Sequence, residues 1–277
     1  MKVDSHQHFW RYDPARFGWF DDRMAMLKRD FMPSDLEPLL REHGFDGCVA
    51  VQASQTEQET EFLLGLAREN SFIKGVVGWV ALCDRDISRR LEHYSQFPSL
   101  CGVRHIVQWE RDDEFMQCTD FQNGIAALSR FSLAYDILIF PRHLASALKL
   151  AKRFPDQPFV VDHIAKPYIK DRKIDSWRDG IIKLAELPNV CCKVSGMVTE
   201  ASWPDWRAED FTPYLDVVFE AFGIDRVMFG SDWPVCLLAG SYAQVLGILE
   251  NYMKSFSADE TGRFLGGNAQ RFYGIGE

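Results

Sequence analysis

Near the N-terminus, Val3-Asp4-Ser5-His6-Gln7-His8 sets two histidines two residues apart. On an extended segment, side chains at i and i+2 share a face, so both imidazoles point the same way. Imidazole is a common ligand for zinc and similar ions. Two imidazoles, one carboxylate and a water in the open position make a catalytic zinc site. The pair therefore asks for a carboxylate from elsewhere in the chain. His43 and His93 fall on helical stretches and are expected to be solvated.

The elements that must supply that carboxylate repeat along the chain. Short, nearly continuous apolar runs read as strands at 1–7, 47–52, 73–82, 100–108, 133–140, 158–162, 189–195 and 226–230. Helical spacing follows each, as in Leu36/Leu39/Leu40, Phe62/Leu63/Leu66, Leu144/Leu148/Ala151 and Leu215/Val218/Phe219. Ser34-Asp35-Leu36-Glu37 and Ser54-Gln55-Thr56-Glu57 have the form of capping boxes, and Gly44 ends the first of these helices. Strands apolar on both faces, alternating with helices, predict a parallel sheet wrapped by helices. Eight repeats in 277 residues favour an α/β fold of the (β/α)8 type, regular or distorted, as one domain over 1–277. Neither a Gly-x-Gly-x-x-Gly turn after a strand nor a Gly-x-x-x-x-Gly-Lys loop argues for a doubly wound nucleotide fold. Residues 9–33 carry Trp10, Tyr12, Phe17, Trp19, Phe20 and Phe31. A loop this long and aromatic is either a lid or binding loop, or a cap on one end of the core.

Composition removes several classes. A net charge of −9 does not favour nucleic acid or anionic membranes as partners. There is no basic-then-apolar leader and no apolar run long enough to span a bilayer. Seven scattered cysteines without a Cys-x-x-Cys pair read as buried free thiols in a reducing cytoplasm.

Catalytic groups of a (β/α)8 barrel sit at the C-terminal ends of the strands. Those ends carry His6 and His8, Gln52, Arg104 and His105, His163 with Lys166 nearby, Ser195 and Asp232, with Asp136 inside the fifth strand. Barrel closure makes the eighth strand the neighbour of the first and brings Asp232 beside His6 and His8. Arg104 and His105 alternate sides, and Arg104 is the one expected to face the axis. Gln52 and Lys166 are candidates for substrate contact or ordinary loop polarity, and Trp233 for the pocket wall or the core. His163 reads as an active-site group, either a further ligand or a neutral hydrogen-bond donor; Lys193 reads as structural and Asp136 as inward or structural.

Asp4-Ser5-His6-Gln7-His8-Phe9-Trp10, Gly102-Val103-Arg104-His105, Val161-Asp162-His163-Ile164-Ala165-Lys166-Pro167, Cys192-Lys193-Val194-Ser195-Gly196, Phe229-Gly230-Ser231-Asp232-Trp233-Pro234 and the tail Gly267-Asn268-Ala269-Gln270-Arg271-Phe272-Tyr273 occur in this order. Together they resemble the sugar-lactonase branch of the amidohydrolase superfamily, which includes L-fuconolactonase and L-rhamnonolactonase. The resemblance implies a hydrolase that opens L-fuconolactone or a similar aldonolactone, with His6, His8 and Asp232 in the metal or catalytic positions. With Asp232 as base, His163 is the other expected catalytic group, and Arg104, Lys166, Gln52 and Trp233 are the expected substrate contacts. The fourth strand offers no lysine to bridge two metals, and His143 falls beyond the proline that ends the fifth. One divalent ion, zinc for preference, or none at all is then expected. A small sugar lactone is the implied partner, with subunit assembly left open. A metal-dependent decarboxylase or hydratase on the same barrel is the alternative, and a binding protein on an inactive barrel a third.

Overall fold

The protein is described by a computed structural model covering residues 1–277 apart from Trp19, Pro204 and Glu277. Eight strands, β1 (Val3–Gln7), β2 (Gly47–Val51), β3 (Ile73–Gly78), β4 (Leu100–His105), β5 (Ala134–Ile137), β6 (Phe159–Val161), β7 (Val190–Val194) and β8 (Val227–Phe229), form one parallel sheet in sequence order. Helices follow each strand: α1 (Pro33–Glu42), α2 (Glu57–Glu69), α3 (Ile87–Tyr94), α4 (Thr119–Leu128), α5 (Leu144–Arg153), α6 (Asp175–Ala185), α7 (Thr212–Phe222) and α8 (Tyr242–Tyr252). Two short helices, α9 (Ala258–Gly262) and α10 (Asn268–Tyr273), end the chain. The sheet curls until β1 meets the segment after β8, where the Asp232 amide donates to the His6 carbonyl (2.8 Å) and the His8 amide to the Trp233 carbonyl (2.7 Å). This is the (β/α)8 fold expected from the repeats.

Alternation along the strands sorts the core into two parts. Val3, Val49, Val51, Val77, Ala134, Val160 and Met228 face inward, while Cys48, Ala50, Val76, Val103 and Tyr135 pack outward against the helices. Ala269, Tyr273 and Ile275 join the inward set, so α10 plugs the end of the barrel opposite the catalytic face. Asn268 anchors this plug: its amide donates to the carbonyls of Ile224 (2.7 Å) and Val227 (2.6 Å).

Several boundaries differ from expectation. β3 stops at Gly78 and β4 at His105: residues 79–82 leave the sheet, and Val107–Trp109 wind into a short 3-10 turn. α1 begins at Pro33, whose fixed φ suits a first helical position, and the Asp35 carboxylate accepts from the Met32 amide (2.8 Å). In α2 the cap is Thr56, not Ser54; Glu59 accepts from the amides of Ala53 and Ser54. The cap of α1 thus lies two residues before Ser34 and that of α2 two residues after Ser54. Cys83 and Cys118 are exposed, so the expectation of uniformly buried thiols holds only for the others, which are buried or half-buried. His93 is exposed as expected, whereas His43 is half-buried against the Tyr242 ring (centroids 5.5 Å apart). Among the described residues, no helix is long and apolar enough to cross a membrane.

The aromatic stretch after β1 is stapled down. Trp10 and Phe31 exchange backbone hydrogen bonds (3.0 and 2.9 Å), and the Trp10 indole donates to the Arg29 carbonyl (2.9 Å). Phe17, Phe20 and Phe31 all pack on the Trp10 ring. Trp19 lies outside the described residues.

Replacing Asn268 with Ala should cost about 1–3 kcal/mol, because two carbonyls lose their donor. A lowered urea midpoint would register it; an unchanged midpoint would show that the plug does not depend on this side chain.

Candidate active site

β1 and the turn after β8 are joined by side chains as well as backbone. The Asp4 carboxylate accepts from the amides of His6 (3.2 Å) and Ser231 (2.9 Å), and the Ser5 hydroxyl donates to the Phe229 carbonyl (2.6 Å). Burial pushes the Asp4 carboxyl up to about 6, although these hydrogen bonds oppose the rise. Gly230 has to be glycine: a Cβ there would lie 2.6 Å from the His6 Cβ. Asp232 takes a left-handed conformation (φ 56°), which aspartate tolerates better than most residues.

This seam delivers the expected trio. Asp232 Oδ1 lies 3.2 Å from His8 Nε2 and 3.9 Å from His6 Nε2, and His163 Nε2 is also 3.9 Å away. His8 Nδ1 contacts the Val51 carbonyl at 2.8 Å. A carbonyl can only accept, so Nδ1 carries a hydrogen and the Nε2 lone pair of a neutral ring faces a carboxylate oxygen. Two acceptors at that distance require a cation between them, either a proton or a metal ion. Donors around a tetrahedral zinc with Zn–N of about 2.0–2.1 Å stand roughly 3.3 Å apart; the His8–Asp232 spacing matches this and the His6–Asp232 spacing is wider. The donor set of His6, His8 and Asp232 therefore fits a divalent ion. His6, Asp162 and His163 form an overlapping second group.

Burial holds the His6 and His163 imidazoles well below their usual pKa, so both are neutral near pH 7. Burial works to raise the Asp232 carboxyl, but His163, His8 and Lys166 outweigh it and keep the group below its ordinary value. His163 Nδ1 shares a hydrogen with the Ser195 hydroxyl (2.9 Å).

Below the trio lies a charged floor. Arg104 Nη1 donates to Asp162 Oδ2 (2.9 Å) and stands 3.2 Å from His6 Nε2, and its Nη2 donates to the Gln52 backbone carbonyl. Lys193 Nζ donates to Asp136 (2.5 Å) and lies 3.2 Å from both Asp162 Oδ1 and His6 Nδ1. The Tyr273 hydroxyl of the α10 plug donates to Asp136 (2.8 Å). Burial would raise the Asp162 carboxyl, yet Lys193, His6 and Arg104 hold it well below the usual range. Burial leaves Asp136 raised to about 6 despite Lys193.

Asp162 was missed as a site residue, since strict alternation from His163 puts it on the other face. The backbone breaks that rule. Residues 163–166 run through four left-handed conformations (φ 54°, 48°, 59° and 49°), so Asp162 and His163 both reach the centre. Left-handed geometry costs roughly 1–2 kcal/mol per L-residue. The turn is held by the Lys166 amide on the His163 carbonyl (2.8 Å) and the Trp177 indole on the Ile164 carbonyl (2.6 Å). Gly196 (φ 60°) makes room for it, because a Cβ there would lie 2.5 Å from His163 Nδ1.

Above the trio opens a cavity of about 330 Å³. His8, Asp232, His163, Arg104 and Lys166 line it, with His6 beneath. Gln52 and Trp233 stand behind the wall: the Gln52 side chain bonds Arg104, and Trp233 packs on Phe9 and Phe31. His105 turns outward to Glu110 (2.7 Å) and stacks on Phe115, leaving the axis to Arg104 as alternation required. The wall also includes Trp10, Met24, Trp109, Glu200 and Trp203, which sequence reasoning did not assign to it. Trp10 and Met24 belong to the aromatic stretch after β1, while Trp109, Glu200 and Trp203 lie in or beside short 3-10 turns without periodicity, and no pattern marked them.

Replacing Asp162 with Ala would leave two buried cations without their shared carboxylate. A loss of about 3–5 kcal/mol is expected, measured as a drop in unfolding free energy; a loss under about 1 kcal/mol would show that Arg104 and Lys193 are not held by it.

Residues 3–275 match the family model described as Amidohydrolase. An L-fucono-1,5-lactonase of Burkholderia multivorans is 40% identical over 288 residues, covering 100% of this chain and 97% of the relative. One from Burkholderia ambifaria is 38% identical over 280 residues, covering 99% and 96%. The crystal structure of a Burkholderia multivorans amidohydrolase with bound zinc superposes with a TM-score of 0.96 at 40% identity, over 100% of both chains.

Proposed function

The chain belongs to the amidohydrolase family, and from that premise we propose that it hydrolyses L-fucono-1,5-lactone, or a closely similar aldonolactone, to the aldonic acid. The observation that carries this reading is the convergence of His6, His8, His163 and Asp232 at the base of a cavity, in a chain 40% identical to an L-fucono-1,5-lactonase along its whole length. A volume of about 330 Å³ suits a single sugar ring.

Asp232, held ionised by its neighbours, is the general base. It takes a proton from a water that attacks the lactone carbonyl. Neutral His163 can present an Nε2 hydrogen to the developing oxyanion when Ser195 donates to its Nδ1. Arg104, fixed by Asp162 and Gln52, adds positive charge at the same place. Collapse breaks the ring C–O bond, and the Asp232 carboxyl returns its proton to the leaving alkoxide. An alkoxide leaves more readily than an amine, so the reaction demands less assistance than amide hydrolysis.

A zinc ion held by His6, His8 and Asp232 would supply Lewis acidity and acidify a neighbouring water. Arg104 Nη1 competes for the His6 lone pair at 3.2 Å, so an ion would be held loosely. Equilibrium dialysis against zinc should find at most one ion per chain, and His8→Ala should weaken it by at least about tenfold. Two ions per chain would contradict this donor set.

The assay is proton release on mixing with L-fucono-1,5-lactone. Asp232→Asn should lower kcat by about 10²–10⁴-fold with an unchanged circular dichroism spectrum. A wild-type rate in that variant removes the base from the mechanism. No acidification with the lactone, together with loss of CO2 from an aromatic acid, would establish the decarboxylase reading instead.

A further inference from the structure

The wall of the cavity carries two side chains of fixed positive charge, Arg104 and Lys166. Each already has a carboxylate. Arg104 is paired with Asp162 from below, and Lys166 Nζ stands 3.7 Å from Glu200 Oε1 within the wall itself. Glu200 ends the short helical turn Val198–Glu200 after β7. Lys166 ends the left-handed turn after β6, with its ammonium 5.7 Å above the Phe140 ring. Both side chains are about four-fifths buried (17% and 20% exposed), so their attraction is less screened than that of a surface pair.

We propose that Glu200 determines specificity by charge: it neutralises Lys166, so that the cavity admits neutral lactones, rejects lactones bearing a free carboxylate, and releases its own anionic product. The inference rests on the lactonase reading and sharpens its substrate class. A lone lysine in this wall would be a ready partner for any carboxylate, through a charge-assisted hydrogen bond. Glu200 occupies that partnership, and its own negative charge repels an incoming anion. Discrimination of this kind comes from a repulsive element as much as from an attractive one. The burial of Glu200 raises its carboxyl and Lys166 opposes the rise, consistent with a pair that shares the wall.

Hydrolysis makes the need concrete. A neutral lactone and water become an aldonate and a proton, so the product carries a charge that the substrate lacked. A cavity with a free lysine would hold that product.

The test is Glu200→Gln, read in two ways on protein of measured zinc content. One is the dissociation constant of L-fuconate by calorimetry. The other is the ratio of kcat/KM for galactaro-1,4-lactone, which bears a terminal carboxylate, to that for galactono-1,4-lactone, which bears a hydroxymethyl. Freeing Lys166 should tighten L-fuconate and raise the ratio, each by about tenfold or more. In Glu200→Gln/Lys166→Met both should return toward wild-type values. Lys166→Met alone, which leaves Glu200 uncompensated, should weaken L-fuconate and lower the ratio, and it provides the answer if Glu200→Gln does not fold. Unchanged L-fuconate affinity and an unchanged ratio in a folded Glu200→Gln variant would overturn the proposal. A wild-type chain that opens no lactone, L-fucono-1,5-lactone included, would overturn the lactonase reading and take this inference with it.

Discussion

The structure depends on how the sheet closes. Where β1 meets the segment after β8, the Asp232 amide donates to the His6 carbonyl and the His8 amide to the Trp233 carbonyl. Barrel closure and site assembly are therefore one event, because the residues whose backbones complete the barrel are the ones whose side chains form the trio. Asp4 and Ser5 reinforce the seam by bonding the Ser231 amide and the Phe229 carbonyl. Gly230 allows the close approach. A chain folded without this seam would have histidines and a carboxylate but no site.

Closure alone would not set the imidazoles. The floor beneath them is a run of alternating charges, Asp136, Lys193, Asp162 and Arg104, buried at 0–3% exposure. Buried ion pairs contribute little net stability, since desolvation offsets attraction, but removing one member is costly. What the run provides is position. It places a carboxylate and an ammonium at 3.2 Å from His6 Nδ1 and a guanidinium at 3.2 Å from Nε2. At its far end, Tyr273 ties it to the α10 plug. The C-terminal helix thus reaches, through two charges, the ring that opens the chain.

Most of the architecture was legible in the sequence because parallel strands buried on both faces leave near-continuous apolar runs, and helices between them leave a different period. Asp232 was legible for a topological reason: only closure makes the eighth strand a neighbour of the first. Asp162 was not, because the left-handed turn after it cancels the alternation on which face assignment relies. Lys193 was read as structural and Asp136 as inward or structural; Lys193 reaches His6 Nδ1 and Asp136 pairs with Lys193, contacts among β1, β5 and β7 that no local pattern records. Gln52 and Trp233 looked like pocket residues from their place at strand ends, yet a hydrogen bond to Arg104 holds the one and two aromatic rings enclose the other. Glu200 and Trp203 sit on a loop, where sequence carries no period to read.

The central claim is that the lactone carbonyl is attacked at the β1–β8 seam. It is tested most directly by a crystal structure of the Asp232→Asn variant with unhydrolysed L-fucono-1,5-lactone. The expected result places the carbonyl group against His8, His163 and residue 232, with the ring between the Lys166–Glu200 pair and the aromatic wall. A lactone seated elsewhere, or with its carbonyl turned away from residue 232 and its ring oxygen out of reach, would contradict the account.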